Sequence, residues 1–287
     1  MVVHWDDVAW ERVDRGELRW ERQRLAAGLS RFRAEPGARI MPAHVHVDEE
    51  EIVVVLGGGG CSWQDGTAHP VREGDAILHR PDAEVHTLIA GEEGLEVLIF
   101  ASGSSTGLTR LPRAGIIRVG AGTWPLDADP FGDEPPLEPG TPCAQRPETI
   151  VSVGDVPLHE EGRGVFTGLD GVIHRGAISG LRLNEIDEGR ISCPAHHHTM
   201  DDEKFVVLEG SGEARIGAER LPLRPGSVVV RPAETGVEHA LHGGPLRYLA
   251  WGTNRPGDIC LYPDSRKVLI GHEIFRLEPL DYWDGEA

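Results

Sequence analysis

The sequence predicts an all-β protein made of two small barrels or jelly rolls in tandem. Three observations predict it. Short β-branched or alternating runs recur between turn residues, the chain repeats itself at the spacing of a whole domain, and helical periodicity is nearly absent. At 287 residues and 31.2 kDa there is room for two domains of ordinary size, each with its own core.

Taken in order, residues 5–12 carry the one helical signal, of a turn or two. The runs 18–24, 51–56, 76–79, 84–89 and 95–100 read as strands of the first half, and 180–183, 205–208, 214–216, 228–230 and 246–251 as strands of the second. In HVHVDEEEIVVVLGGGG, residues 44 to 60, the five residues from Ile52 to Leu56 read as a strand buried on both faces. The glycines then read as a turn, as does GAGTW at 120–124. Residues 123–148 are rich in proline and acid and poor in pattern, which marks a linker or surface crossover. The expected domains are therefore 1–122 and 156–287, joined by 123–155.

The repeat is gapless over its most informative stretch. PAHVHVDEEEIVVVLGG at 42–58 aligns with PAHHHTMDDEKFVVLEG at 194–210, so that His44 faces His196, His46 faces His198, Glu51 faces Glu203 and Gly58 faces Gly210. Downstream, Gly74 meets Gly226, and His86 meets His239 after a loop two residues longer in the second copy. A period of this length duplicates a domain; it does not build a solenoid.

Composition excludes several classes of function. A formal charge of -19 disfavours nucleic acid and anionic membrane as partners, since phosphates would be repelled. No segment has the apolar length of a bilayer span, and the acidic, tryptophan-bearing N-terminus is unlike a signal peptide, so a cytoplasmic location is expected. Cys61, Cys143, Cys193 and Cys260 form no CxxC pair and read as small buried residues. Neither a GxSxG motif nor a phosphate loop nor a dinucleotide fingerprint is present.

Histidines one residue apart on an extended chain point to the same side and can grip one object together. Of the acids that follow, Glu51 shares its strand face with Val53 and Val55, as Glu203 does with Phe205 and Val207. Glu49, Glu50, Asp201 and Asp202 are expected to face water. A carboxylate leading a strand into a core needs a cation beside it.

The order His-x-His, four residues, Glu, six residues, Gly, and later Gly, a strand, Pro and a third His occurs in both halves. In this the chain resembles the cupin superfamily, with both family motifs present twice and nearly all of the chain covered. The resemblance implies a bicupin of two double-stranded β-helix barrels. It implies metal ligands at His44, His46, Glu51 and His86 in the first barrel and at His196, His198, Glu203 and His239 in the second. Two departures matter. Ala83 stands where the second motif usually has glycine, and His242 competes with His239, which is preferred because a glycine lies three residues before it. His197, between two ligands, should point away.

Three imidazoles and a carboxylate suit Fe(II), Mn(II), Ni(II), Co(II) or Zn(II), one ion per barrel, with coordination positions left for substrate or dioxygen. Arg80 and Arg231, each just before a motif proline, are candidates for holding a substrate carboxylate, with pairing to surface acids as the competing role. Trp63, Phe100, Phe205, Tyr248 and Trp251 are expected in the core or lining a pocket. The expected function is a metal-dependent enzyme acting on a small organic molecule, a dioxygenase first. A non-redox isomerase, decarboxylase or hydrolase, or a non-catalytic ligand-binding module, is the alternative. The expected partner is a small-molecule substrate or ligand, and a homodimer is compatible with the sequence.

Overall fold

The architecture was established from a computed structural model, which describes residues 1–103, 107–120, 122–125 and 128–284. Ala121 of the GAGTW stretch, Leu126 and Asp127 of the proline-rich segment and the last three residues lie outside the described residues. Strand is the dominant regular structure of the described residues, and their helical elements are single 3-10 turns. The helical signal at 5–12 resolves into one such turn, Trp5–Asp7, and strand resumes at Glu11.

Two compact units emerge. One comprises His4–Pro157 with Val172–Leu181, the other Met1–Val3, Leu158–Gly171 and Arg182–Ala287. Each is built from a large and a small sheet. In the N-terminal unit the large sheet runs Ile150–Ser152, Asp75–His79, Glu51–Gln64, His86–Ala101, Leu29–Ala34, Leu18–Ala26, Glu11–Arg15, with Thr67–Arg72 paired to Glu51–Gln64. Its small sheet runs Gly122–Trp124, Ile116–Val119, Leu108–Leu111, Val45–His46. The large sheet of the C-terminal unit has the same plan around Glu203–Ile216 and His239–Thr253, with Val2–His4 as one edge. Its small sheet joins His197–His198, Ile259–Tyr262, Lys267–Ile270 and Glu273–Arg276.

The cores follow the period-2 pattern. Val53, Val55, Ile77, Leu88 and Val97 pack with Trp20 and Phe32 inside the first barrel, and Phe205, Val207, Val229, Leu241 and Tyr248 inside the second. Glu51 and Glu203 are thus the outermost positions of inward-facing rows.

The four glycines at 57–60 do not form a turn. The strand continues through them to Gln64, with register shifts at Val55/Gly57 and Gly58/Gly60. Gly58 has φ +71°, and a Cβ on Gly60 would fall 2.0 Å from the Ile89 carbonyl oxygen. Glycine here permits bulges that let the long strand curl round the barrel, where a side chain would collide with the neighbouring backbone. The second copy shifts register at Val207/Glu209 and Gly210/Gly212, in the same places of the repeat.

The proline-rich segment packs on the N-terminal unit. Leu137 joins Ala43 and Trp63 in a small buried cluster, and Glu134 is buried against Arg39 and Arg113. A polar composition hid this, because the buried charge is matched by arginines far away in sequence.

Candidate metal centres

Backbone pairing places the third histidine beside the first. His44 and His86 exchange both backbone hydrogen bonds, N to O distances 3.0 and 2.8 Å, and His196 and His239 do the same at 3.2 and 2.8 Å. Their ring centroids are 4.6 and 4.7 Å apart. The two residues of a pair are distant in sequence, and the barrel's closure alone joins them.

In the N-terminal unit the ligand atoms of His44, His46, Glu51 and His86 all lie within 4.8 Å of one another. His46 Nε2 is 3.3 Å from Glu51 Oε2, and His86 Nε2 is 3.9 Å from Glu51 Oε1. The outer ring nitrogens are already committed. His44 Nδ1–H donates to the Pro42 carbonyl at 2.8 Å, His86 Nδ1–H to the Glu84 carbonyl at 3.1 Å, and His46 Nδ1 meets Thr109 Oγ1 at 3.2 Å. With Nδ1 carrying the proton on His44 and His86, each Nε2 holds a lone pair directed at its neighbours and at an anionic carboxylate. The Nε2 atoms of His46 and His86 are buried without a well-formed hydrogen bond among the described residues. An ionised carboxylate facing the lone pairs of His44 and His86 is what a cation satisfies, so the residues present fit a divalent metal.

The electrostatics agree. Burial holds His44 down to about 4 and pushes His86 well below the ordinary histidine range, with His79 and His44 adding to it. Burial raises the Glu51 carboxyl, yet the imidazoles, His46 foremost, outweigh it and hold Glu51 at about 2. His44 and His86, neutral beside an ionised Glu51, are in their ligating forms, while Glu51 raises His46 against the effect of burial.

The C-terminal cluster is looser. Glu203 lies 3.0 Å from His239 Nε2, 3.9 Å from His196 Nε2 and 3.8 Å from His198 Nε2. His196 Nδ1–H donates to the Pro194 carbonyl at 3.0 Å, and His198 Nδ1 pairs with Asp258 at 2.5 Å. His242 is three residues further along the strand opposite Glu213 and takes no part in the cluster, whereas His239 does. Cys260 is buried within ligand distance of His196 and His198, and Cys193 Sγ is 3.5 Å from His196 Nδ1. Two cysteines that sequence spacing left as packing residues thus border this cluster, Cys260 because the strand Ile259–Tyr262 pairs with His197–His198 and Cys193 because it lies three residues before His196.

A cavity of about 280 Å³ opens on the first cluster, lined in part by Arg22, Phe32, Met41, Glu49, Thr109 and Arg118. One of about 660 Å³ opens on the second, where Phe166, Asp170, Arg182, Phe205, Tyr248 and Tyr262 contribute. Neither Arg80 nor Arg231 lines either cavity. Arg80 is half-exposed and pairs with Glu148 at 3.1 Å, while Arg231 is buried and donates to the Val237 carbonyl and to Thr235. The recorded contacts of both guanidinium groups are local.

Two of the acids expected in water are not there. Glu49 lines the first cavity, its carboxyl raised by burial and 3.4 Å from His46 Nδ1. Glu50, 1% exposed, accepts hydrogen bonds from the backbone N–H groups of Ala177, Ile178 and Ser179 and from Ser179 Oγ. Those donors arrive from a hairpin in the other half of the sequence, so no local signal could announce them. Asp201 and Asp202 are half-buried and cap the backbone of Arg255 and Ala233.

Comparison with known proteins completes the description. The cupin domain profile matches residues 30–101 and 182–252. Among solved structures, oxalate decarboxylase from Bacillus subtilis at pH 4.6 is 18% identical, with a TM-score of 0.54 over 88% of this chain and 75% of that one. A single-residue variant of the same enzyme gives 0.57 at 18% identity, over 90% and 78% of the two chains. Likeness at that identity concerns the fold. No curated protein matches the sequence.

Proposed function

The chain belongs to the cupin superfamily and carries the domain twice, and from that premise we propose that it is a metal-dependent enzyme acting on a small organic molecule. One observation carries the reading: in the first barrel three imidazoles and an ionised carboxylate converge beneath a cavity, with the buried Nε2 of His86 lacking a hydrogen-bond partner among the described residues. His44, His46, Glu51 and His86 would hold one ion there, and His196, His198, Glu203 and His239 another. A bound Fe(II), Mn(II), Co(II), Ni(II) or Zn(II) supplies Lewis acidity and open positions for substrate or dioxygen.

The chain's own part is positioning and exclusion of water. Carbonyls of Pro42 and Glu84 fix two rings, and Phe32, Met41, Ile99 and Leu111 give the cavity apolar walls. Oxygenation of an enolic, phenolic or keto-acid substrate is the first reading, supported by the mixed nitrogen and oxygen donor set. Glu49 favours a second, non-redox reading, since a partly buried carboxyl facing the cavity can hold or deliver a proton during isomerisation or decarboxylation.

Elemental analysis of purified protein followed by turnover screening with and without oxygen tests this. Bound transition metal together with oxygen uptake supports the oxygenase; metal with turnover that persists anaerobically supports the second reading. Protein that neither retains nor responds to metal overturns both.

A further inference from the structure

The small sheet of the N-terminal unit carries a row of side chains away from the metal cluster. His46 is paired directly with Thr109, Thr109 with Arg118, and Arg118 with Thr123. Directly opposed residues of antiparallel strands project from the same face, so the row begins at a proposed ligand and reaches an arginine two strands away. At the usual strand spacing the Cα atoms of His46 and Arg118 are about 10 Å apart.

Both Arg118 and Arg22 line the first cavity, in different states. Arg22 pairs with Glu11 at 2.6 Å and lies over the rings of Trp20 and Phe32. Arg118 is half-buried and, among the described residues, has no carboxylate partner. Burial lowers its pKa, and the charge of the neighbouring Arg22 lowers it further. In a chain with 47 acids against 28 basic residues, a half-buried guanidinium without a carboxylate is an unmet binding capacity.

The second barrel builds the same row from other chemistry. His198 is paired with Cys260, Cys260 with Leu269, and Leu269 with Ile274. Leucine therefore takes the place of Arg118, and Leu269 lines the larger cavity. Among the described residues the arginine that lines it is Arg182, held bidentately by Asp170.

We propose that Arg118 anchors the carboxylate of a small monocarboxylate in the N-terminal cavity, and that the C-terminal cavity has no such anchor. The apolar body of the ligand would lie along Phe32, Met41, Ile99 and Leu111. Glu49 and Glu51 face the same space, but a divalent ion would offset both, and with Arg22 paired to Glu11 this leaves Arg118 in excess. The proposal rests on the metal reading for that balance and on Arg118 for selectivity.

Titration calorimetry of Mn(II)-loaded protein with acetate, butyrate and benzoate, each against its neutral amide, tests it, with metal content measured on every sample. The expected result is a preference for carboxylate over amide of about tenfold or more. Arg118→Met should abolish that preference at unchanged metal content, Arg118→Lys should restore part of it, and Leu269→Ala should leave it intact. No preference in the parent protein, or a preference that survives Arg118→Met, overturns the proposal. If no sample takes up metal, the metal reading fails by itself, and the same comparison on metal-free protein decides the role of Arg118. Should Arg118→Met fail to fold, Arg118→Gln reads the same loss.

Discussion

The ring of His79 stacks on that of His86, with centroids 3.7 Å apart and planes 4° from parallel. His79 is buried, and its Nδ1 lies 2.7 Å from Glu84 Oε1. Since Glu84 also gives its carbonyl oxygen to His86 Nδ1, both contacts orient one ring. We expect His79→Ala to weaken metal retention in the first barrel by about tenfold, while His79→Phe, which keeps the stack, loses less. Chelator competition on both variants measures this, and equal retention in all forms would deny His79 a positioning role.

If each cluster holds its own ion, His44→Ala and His196→Ala should each halve the metal content of the protein, and the double variant should hold almost none. Elemental analysis reads the stoichiometry directly. A single substitution that empties both barrels would show that the clusters are not independent.

Acid should destabilise the metal-free first barrel. Burial keeps His44 neutral in the folded chain down to about 4, while its unfolded counterpart binds a proton near 6.5. Stability is therefore full above pH 6.5 and declines as the pH falls towards 4. His86, shifted in the same direction, deepens the loss. Glu51, held at about 2 against its ordinary 4.5, carries it further down. His46, whose pKa Glu51 raises against the effect of burial, opposes the trend and softens it. Thermal melting of chelator-treated protein between pH 7 and pH 4 should show a falling Tm; a flat profile contradicts the protonation states assigned to the cluster.

Glu50 is a structural anion receptor turned inside out: a carboxylate received by three backbone N–H groups and a hydroxyl. Removing it leaves those donors buried and unpaired. Glu50→Ala should cost about 3 kcal/mol or more, read from urea unfolding, and Glu50→Gln appreciably less. A surface role would leave both within experimental error of the parent.

Glycine substitutions separate close approach from backbone strain. Gly74 has φ +83° and open space around it, so Gly74→Ala should cost about 1 to 2 kcal/mol. Gly60→Ala drives a methyl into the Ile89 carbonyl and should cost about 3 kcal/mol or more, or prevent folding. Equal stability of the two variants would argue against the continuous bulged strand through 57–60.

The sequence by itself determined the all-β class, the duplication and the short list of residues that converge. Local alternation puts His44 and His46 on one side and Glu51 on the inward row, and the repeat pairs His86 with His239, while the gathering of these residues into one ligand set is what the resemblance to the cupin superfamily implies. Only the tertiary structure decided which acids are buried, since Glu50 takes its donors from residues 177–179. It alone showed that Arg80 and Arg231 have local contacts and lie outside the lining of both cavities, and that Arg118 stands in the first cavity. The physical reason is the same in each case. Alternation fixes which way a side chain points within its own strand, but its neighbours come from strands that close the barrel across long stretches of chain. Burial, charge pairing and cavity chemistry belong to those neighbours.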